Sequence, residues 1–545
     1  RLLAAVVLAG LATAAATEAP GPVPGACVDL MVPMRDGVRL STLVCLPAGD
    51  GPWATVLNRT PYGKSSSYVD RYREHGFARV SQDPRGRWDS GGEYVPPGNE
   101  VNDGYDAVEW IADQPWSNGR VGMSGYSALG IATYMAAAAD PPHLVAAFAA
   151  VAPESLFYEG RFIGGMWKEA DSGGWLRARG LSAEQIAEYP RRATLDDRWR
   201  RIDFIFQRHR VDIPIYHVGG WYDLFLNGTL NNFRFLQEWG APGARGRQKV
   251  LIGPFGHSSL SGELEYPEGG GGWRRLEEEL RWFDHWLAGV DNGVDREPPV
   301  RWYQRAAARR GEASAANGYR SSPDWPPPGS VPTRLYLQPG GGLSFTPPEI
   351  DRASTQYRAD PSDPVPTLGG LNLNLSIGPK DQRPTRGRSD VLRFESEPLT
   401  EPLALAGRLE AELWAATDGP DTDFIVKLVD VYPDGYEALV LDAGLRARYR
   451  DGRRPQDVRE MTPGVAERLD IDLWHTGLVF EAGHRIAVHV QSSNAPRFDV
   501  NPQNGDPPGE RLQPPRVATN TIYHDRRRPS ALLVPVLHES APPGR

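Results

Sequence analysis

Between about residues 52 and 150, short apolar runs (WATVLN, FARVSQD, GRVGMS, LVAAFAAVAP) alternate with a stretch of helical period, DGYDAVEWIADQP. Apolar runs of strand length separated by helical segments predict a parallel sheet with helices on both faces. From 151 to 205 the pattern changes to charged helical pieces interleaved with Phe157, Tyr158, Phe162, Trp167, Trp175 and Trp199, without strand alternation, and predicts a helical insertion. Strand-like runs return as IPIYHVGG and QKVLIGPFGH, and the helical RRLEEELRWFDHWLAG closes the unit near Gly289. Beyond DNGVDREPP come β-prone runs (TRLYLQ, RLEAELWAA, DFIVKLVDVYPDG, HRIAVHVQSS, SALLVPVL) punctuated by Pro, Gly and Asp. That spacing predicts an all-β sandwich or jelly roll, reached through the semi-rigid connector SSPDWPPPGSVP. The expected organisation is an α/β unit over 20–150 and 206–298, interrupted by a helical cap over 151–205, then a linker and β domain over 299–545.

With 545 residues the chain is too long for one compact core. A formal net charge of -9 argues against a nucleic-acid or anionic-membrane surface, and the one basic cluster, DRRRPS at 525–530, reads as a solvated turn. The N-terminal RLLAAVVLAGLATAAATEAPGP starts on a basic residue and runs through about fifteen apolar residues to small residues at Ala14, Ala16 and Ala19, the pattern of a secretion signal. Residues 1–19 are therefore expected to be a signal peptide, which places the mature chain outside the cytoplasm, secreted or periplasmic, without stable membrane association. Both cysteines, Cys27 and Cys45, flank an alternating stretch around Asp36; in a hairpin centred there they would face each other, and a disulfide would agree with export. Nothing in the sequence sets the oligomeric state.

The stretch VGMSGYSALGIATYMAAA at 121–138 reads as strand, sharp turn and Ala-rich helix. Ser127 fits the apex of that turn and Ser124 the strand end. A serine at such an apex presents its hydroxyl at the sheet edge, with helix-start amides beside it. The match to G-x-S-x-G is imperfect, since Leu129 stands at the second glycine position and Gly130 follows one place late, so the stretch alone leaves both a nucleophile and an ordinary Gly/Ser turn open. A serine nucleophile requires a histidine base and a carboxylate to orient it. The chain supplies them in the order Ser, Asp, His: Asp223 follows the run IPIYHV, and His257 follows KVLIG. Among eleven histidines, His257 has this loop context, whereas His217 lies inside a predicted strand.

Taken together, VPMRDGVRL, NRTPYGK, DPRGRWDSGGEY, DAVEWIADQPWSNGRVGMSGYSALG, HVGGWYDLF, IGPFGH, DTDFIVKLVDVYPDG and SSNAPRFDVNP resemble the serine hydrolases that include cocaine esterase, glutaryl acylases, α-amino acid ester hydrolases and X-prolyl dipeptidyl aminopeptidases. The resemblance spans nearly the whole mature chain. It implies an α/β-hydrolase fold with a helical cap, followed by a C-terminal jelly roll of galactose-binding type. It further implies Ser127 as nucleophile, Asp223 as acid, His257 as base, and Tyr62 with the backbone amide of Ala128 as oxyanion donors. The family often has Tyr after the nucleophile; here Ala128 follows and Tyr126 precedes, so the pocket wall is expected to differ.

The aromatic residues Trp167, Trp175, Trp221 and Tyr126 are candidates for the substrate pocket and suit an apolar acyl or aryl group. Recognition of a free α-ammonium would need carboxylates at the pocket. LFLNG after Asp223 has none, and Glu169 and Asp171 read as a solvated helix face. DGPDTDF, with Asp418, Asp421 and Asp423, lacks the ligand spacing of a calcium loop. No metal or cofactor is expected. The function these features point to is an acyl or aryl esterase or acylase acting on a small-molecule ester or amide. The alternatives are an X-Pro dipeptidyl-peptidase and, from another class, a non-catalytic binding protein whose jelly roll recognises carbohydrate or another partner.

Overall fold

A computed structural model describes residues 21–95, 99–268, 272, 275–309 and 311–538. The segment read as a signal peptide lies outside the described residues.

The N-terminal unit is a ten-stranded sheet. Its strands are β1 (Cys27–Pro33), β2 (Arg39–Cys45), β3 (Trp53–Arg59), β4 (Ala78–Gln82), β5 (Ser117–Tyr126) and β6 (Leu144–Ala150), and the chain then leaves the sheet. A two-stranded hairpin, β7 (Phe162–Ile163) and β8 (Met166–Trp167), lies in the intervening segment. The sheet resumes with β9 (Ile215–Tyr222) and β10 (Lys249–Gly256) and ends with β11 (Val300–Gln304) and β14 (Gly318–Ser322), between which sits the small hairpin of β12 (Ala308–Arg309) and β13 (Glu312–Ala313). The order is β1-β2-β4-β3-β5-β6-β9-β10-β11-β14, parallel from β4 through β3 to β11 and antiparallel at both edges.

Helices α1 (Val69–Glu74), α2 (Glu100–Ala112) and α3 (Ala128–Ala138) follow the early strands, and α7 (Leu226–Trp239) and α8 (Leu276–Trp286) the late ones. Residues of α2, α3 and α7 bury one face of the sheet together with Val44, Leu57, Val80 and Met123. Leu280, Trp282 and Phe283 of α8 bury the other with Val56, Phe148 and Val218. Covering both faces is what lets the parallel strands be continuously apolar. The α2 and α3 backbones approach so closely that a Cβ at Gly104 would lie 2.6 Å from Ala136 Cβ.

The fold class is the one expected, an α/β-hydrolase domain with an inserted cap, followed by an all-β domain. Two details differ. β11 and β14 lie beyond residue 298, so the sheet extends into the segment expected to be linker; α8 makes the crossover from β10, and VRWYQ then pairs in parallel beside β10. The cap is only partly helical. It combines the β7–β8 hairpin with the short helices α4 (Gly174–Ala178), α5 (Ala183–Ala187) and α6 (Asp197–Ile202) and with wide helical turns at Leu156–Arg161 and Glu169–Gly173. Its large aromatic residues dictate packing against neighbours more than any local period.

The C-terminal domain stacks two antiparallel sheets. One is built around the long strands Leu403–Thr417 and Glu467–Phe480. The other runs Leu392–Glu395, Arg485–Gln491, Asp423–Val431, Glu437–Arg446. Phe424, Val426, Val488, Leu469 and Ile471 fill the space between them, and the same continuous core takes in Phe157, Phe162, Trp167 and Trp199 of the cap and Trp221 of β9. The β domain is thus packed onto the hydrolase unit rather than tethered to it. At the edge of the ten-stranded sheet away from β14, β1 and β2 pair with Cys27 opposite Cys45, and the two sulfurs are bonded. No helix among the described residues is long and apolar enough to cross a membrane.

Candidate active site

Three parallel strands end at the same sheet edge and deliver one side chain each. β5 turns sharply at Ser127 into α3, and Ser127 adopts φ 59°, ψ -121°, a conformation that costs a non-glycine residue of order 1–3 kcal/mol and persists only where the surroundings impose it. Here they do. Ser127 N donates to Ala150 O of β6 at 2.9 Å, and Ser127 O accepts from Ile131 N at 3.0 Å. A Cβ at Gly125 would collide with Leu129 O, and one at Gly130 would lie 2.7 Å from Ala152 Cβ. The late glycine of the motif is therefore the residue that lets α3 lie against the segment after β6. Ser124 is buried within β5.

Asp223 follows β9 and His257 follows β10. His257 Nε2 lies 2.8 Å from Ser127 Oγ, and its Nδ1 lies 2.6 Å from Asp223 Oδ2. Asp223 is fully buried, and its Oδ1 accepts from Phe225 N at 2.7 Å, which fixes the carboxylate plane. The Phe225 ring stands edge-on to the imidazole, with ring centroids 5.6 Å apart. A hydroxyl, an imidazole and a buried carboxylate in one line allow the hydroxyl proton to leave as the oxygen attacks.

Around Ser127 and His257 a pocket is lined by Ala128, Ile131, Leu156, Trp175, Phe225 and Leu373, with Arg161 and Asp171 as its charged members. The cap shapes this wall. Asp203 accepts from Ser155 Oγ, Leu156 N and Phe157 N, which pins the turn Leu156–Arg161, and burial pushes its carboxyl up to about 6. Behind Phe225, Lys168 is buried with Nζ 5.4 Å from the ring centroid and donating to Glu159 O, and burial pulls its ammonium down to about 8. Glu159 accepts from Gly228 N at the start of α7, and burial raises its carboxyl well above the usual range.

Tyr62 stands at the surface, 42% exposed, and its hydroxyl accepts a hydrogen bond from Trp175 Nε1 at 3.1 Å. Its neighbour Pro61 borders a second recess together with Ala128, Ile131 and Trp175.

Of the four aromatic residues expected at the pocket, only Trp175 lines it. Trp167 is buried in the cap, stacked on Tyr189 and donating to Glu169. Trp221 faces the boundary with the C-terminal domain, away from the pocket: it donates to Tyr303 O of β11, packs on Trp302 of β11 and on Trp325, and lies against Gly477 of the C-terminal domain. Tyr126 lies on the other face of the sheet, against Phe148, and its hydroxyl bonds Glu279. Successive strand residues point to opposite faces, so the positions flanking a strand end do not share its pocket.

Asp171, expected on a solvated face, is instead buried on the pocket wall, because a loop of the C-terminal domain covers it. Its Oδ1 accepts from Leu373 N and Asn374 N, while Glu169 remains partly exposed beside Trp167 and Arg177. Asp421 and Asp423 pair with Arg448 and Arg446. Phe225, Arg161 and Leu373 were not singled out in the sequence; for Phe225 the signal was its place two residues after Asp223, and for the others there was none.

Comparison with known proteins agrees with this arrangement. Residues 36–194 and 181–259 match the X-Pro dipeptidyl-peptidase (S15 family), and residues 292–533 match the X-Pro dipeptidyl-peptidase C-terminal non-catalytic domain. Cocaine esterase of Rhodococcus sp. (strain MB1 Bresler) is 30% identical over 93% of this chain and 98% of that protein. Among solved structures, an aminopeptidase from a marine sediment archaeon, Thaumarchaeota archaeon, superposes with a TM-score of 0.82 at 26% identity, covering 96% of this chain and 98% of that one. An α-amino acid ester hydrolase superposes with a TM-score of 0.79 at 27% identity over 97% of this chain and all of the other. A binding protein without catalysis does not fit these relatives. The chain belongs to the cocaine esterase and X-Pro dipeptidyl-peptidase (S15) family of serine hydrolases.

Proposed function

We propose that this enzyme cleaves an ester or amide through an acyl-enzyme on Ser127, with His257 as base and Asp223 as the group that orients and stabilises it. The hydrogen-bonded line from Asp223 through His257 to Ser127 carries the reading. Ser127 Oγ bonds to the acyl carbon while its proton passes to His257 Nε2. The acyl oxygen gains the negative charge and meets the Ala128 amide, the first of α3 and so without an acceptor in its own helix, and the Tyr62 hydroxyl. Because Tyr62 already accepts from Trp175, its own proton is left to donate. The bond to the alcohol or amine then breaks, the leaving group takes the proton from His257, and water repeats the sequence to release the acid.

The pocket favours acyl or aryl esters, since Ile131, Leu156, Trp175, Phe225 and Leu373 offer mainly apolar contact. Asp171 supports a second reading, an amine-bearing acyl group such as an X-Pro dipeptide, because a buried carboxylate on this wall is the partner an ammonium needs. Labelling of Ser127 by a fluorophosphonate tests the nucleophile. The ratio of kcat/KM for p-nitrophenyl butyrate to that for Gly-Pro-p-nitroanilide tests the substrate. A ratio favouring the dipeptide, and shifted back toward the ester by Asp171→Asn, selects the second reading. We also propose that the protein is exported; natively secreted material with Cys27 and Cys45 bonded in mass spectrometry is the expected result.

A further inference from the structure

One buried carboxylate close behind the nucleophile takes no part in the chemistry described so far. Glu279, in the first turn of α8, is fully buried on the face of the sheet that α8 covers. Its neighbours Glu277 and Glu278 pair with Arg71 and Arg301, whereas no ion pair reaches Glu279 among the described residues. Two phenols answer it instead: Oε1 accepts from the Tyr72 hydroxyl and Oε2 from the Tyr126 hydroxyl. Burial, with the Glu279 charge adding to it, raises the pKa of both phenols well above the ordinary value, so both hydroxyls stay protonated and remain donors. Taking a carboxylate out of water without a cation is unfavourable. A place filled elsewhere on α8 by Leu280 and Phe283 is here held by a group that needs both phenols.

The positions of the two phenols give the reason. Tyr126 is the last residue of β5 and immediately precedes Ser127; it pairs with Ala150 of β6 and packs its ring against Phe148. Tyr72 belongs to α1, the helix that follows the Tyr62 turn, and is itself buried. α8 lies so close on β5 that a Cβ at Gly122 would come within 2.7 Å of Phe283 Cε1. Glu279 thus ties the strand that carries the nucleophile, and the helix behind the oxyanion tyrosine, to one neighbour from the side of the sheet away from the pocket. Ser127 keeps φ 59° only while its surroundings impose it, and Tyr126 is the residue through which α8 acts on that turn.

We propose that Glu279 is a positioning residue for Ser127: through the Tyr126 hydroxyl it fixes the end of β5, and through the Tyr72 hydroxyl the helix behind Tyr62, so that Ser127 Oγ stays aligned with His257 Nε2. A displacement of about 1 Å at a reacting atom costs on the order of 10²-fold in rate. A ring anchored at its hydroxyl, one residue before the nucleophile, resists such a displacement without touching the substrate.

The inference rests on the hydrolase reading, and one set of measurements separates the two. The rate constant for fluorophosphonate labelling of Ser127, and kcat and KM for p-nitrophenyl butyrate, are measured with the full chain and normalised to the fraction of Ser127 that takes the label, so that unfolded protein does not count. Tyr126→Phe, which removes a single oxygen, and Glu279→Leu should each lower the labelling rate and kcat by about 10- to 100-fold with little change in KM. Glu279→Gln, whose amide oxygen still accepts from one phenol, should recover part of the loss. The double variant Tyr126→Phe/Glu279→Leu should be no slower than Glu279→Leu, since both changes act through one contact. If either single variant reacts as fast as wild type per labelled site, or if the two losses multiply in the double variant, Glu279 only packs the sheet; the positioning assignment then falls and the hydrolase reading stands. Should Glu279→Leu fail to fold, Tyr126→Phe decides by the same rates. If Ser127 of the wild type is not labelled, both readings fall.

Discussion

Ser127 and Ser124 stand three residues apart, yet the chain treats them oppositely. Ser127 sits at the strained apex with its Oγ 2.8 Å from His257 Nε2, whereas Ser124 is enclosed in β5. Ser127→Ala is accordingly expected to abolish turnover and Ser124→Ala to retain most of it, measured as ester hydrolysis by the two purified variants; equal losses would refute the assignment. Tyr62 differs from both in being exposed, with its hydroxyl taking a hydrogen bond from Trp175 and its ring under the Arg179 guanidinium. As a donor used mainly in the transition state, it should give, on Tyr62→Phe, a kcat lower by about 10² to 10³ with little change in KM. An unchanged kcat would remove it from the oxyanion site.

At the scale of elements, β9 does two jobs. Its C-terminal end presents Asp223, and its middle buries His217 between Tyr134 of α3 and Gln248. The imidazole accepts from the Tyr134 hydroxyl and donates to Gln248 Oε1. Burial holds its pKa down to about 3, so it stays neutral where an unfolded chain would protonate near 6.5. Below pH 6.5 the unfolded state then binds the extra proton, and stability falls as pH drops from 6.5 toward 3, by about 1.4 kcal/mol per pH unit. Melting temperatures of wild type and His217→Gln across pH 4–7 check this: the variant should have the shallower dependence in that window. Parallel curves would show that His217 does not govern the acid limb. The expectation that this histidine is packed inside a strand agrees with its position.

The whole molecule decides the pocket. Leu373, from the C-terminal domain, forms part of its wall, and the amides of Leu373 and Asn374 converge on Asp171 of the cap. Nearby, Ser261 N donates to Ile377 O four residues after His257. Three parts of the chain therefore meet at one site, and the β domain shapes it as much as the cap does. Asp171→Ala, which frees the 373–374 turn, should raise KM by about tenfold with a smaller effect on kcat and lower the melting temperature, since a buried carboxylate taking two amide bonds is lost. Steady-state kinetics beside a thermal melt would decide; a fall in kcat alone would mean that the contact does not shape binding.

The alternation of apolar runs and helical stretches by itself determined the α/β unit, the interruption after residue 150 and the β domain, because burying a sheet on both faces demands that composition along the chain. The Ser, Asp, His order with its loop contexts likewise marked the three residues that meet at the sheet edge, since each needs only its own strand end to be placed. The pocket was not legible in this way. Trp167, Trp175 and Trp221 look alike in sequence, and only packing against Tyr189, the pocket and Trp302 respectively separates them. Asp171 and Arg161 owe their burial to a loop some two hundred residues away in the first case and to ring neighbours in the second. Local periodicity reports which face of an element is buried, but what lies on that face is set by contacts between distant segments, and that is where the tertiary structure alone decided the chemistry of the pocket.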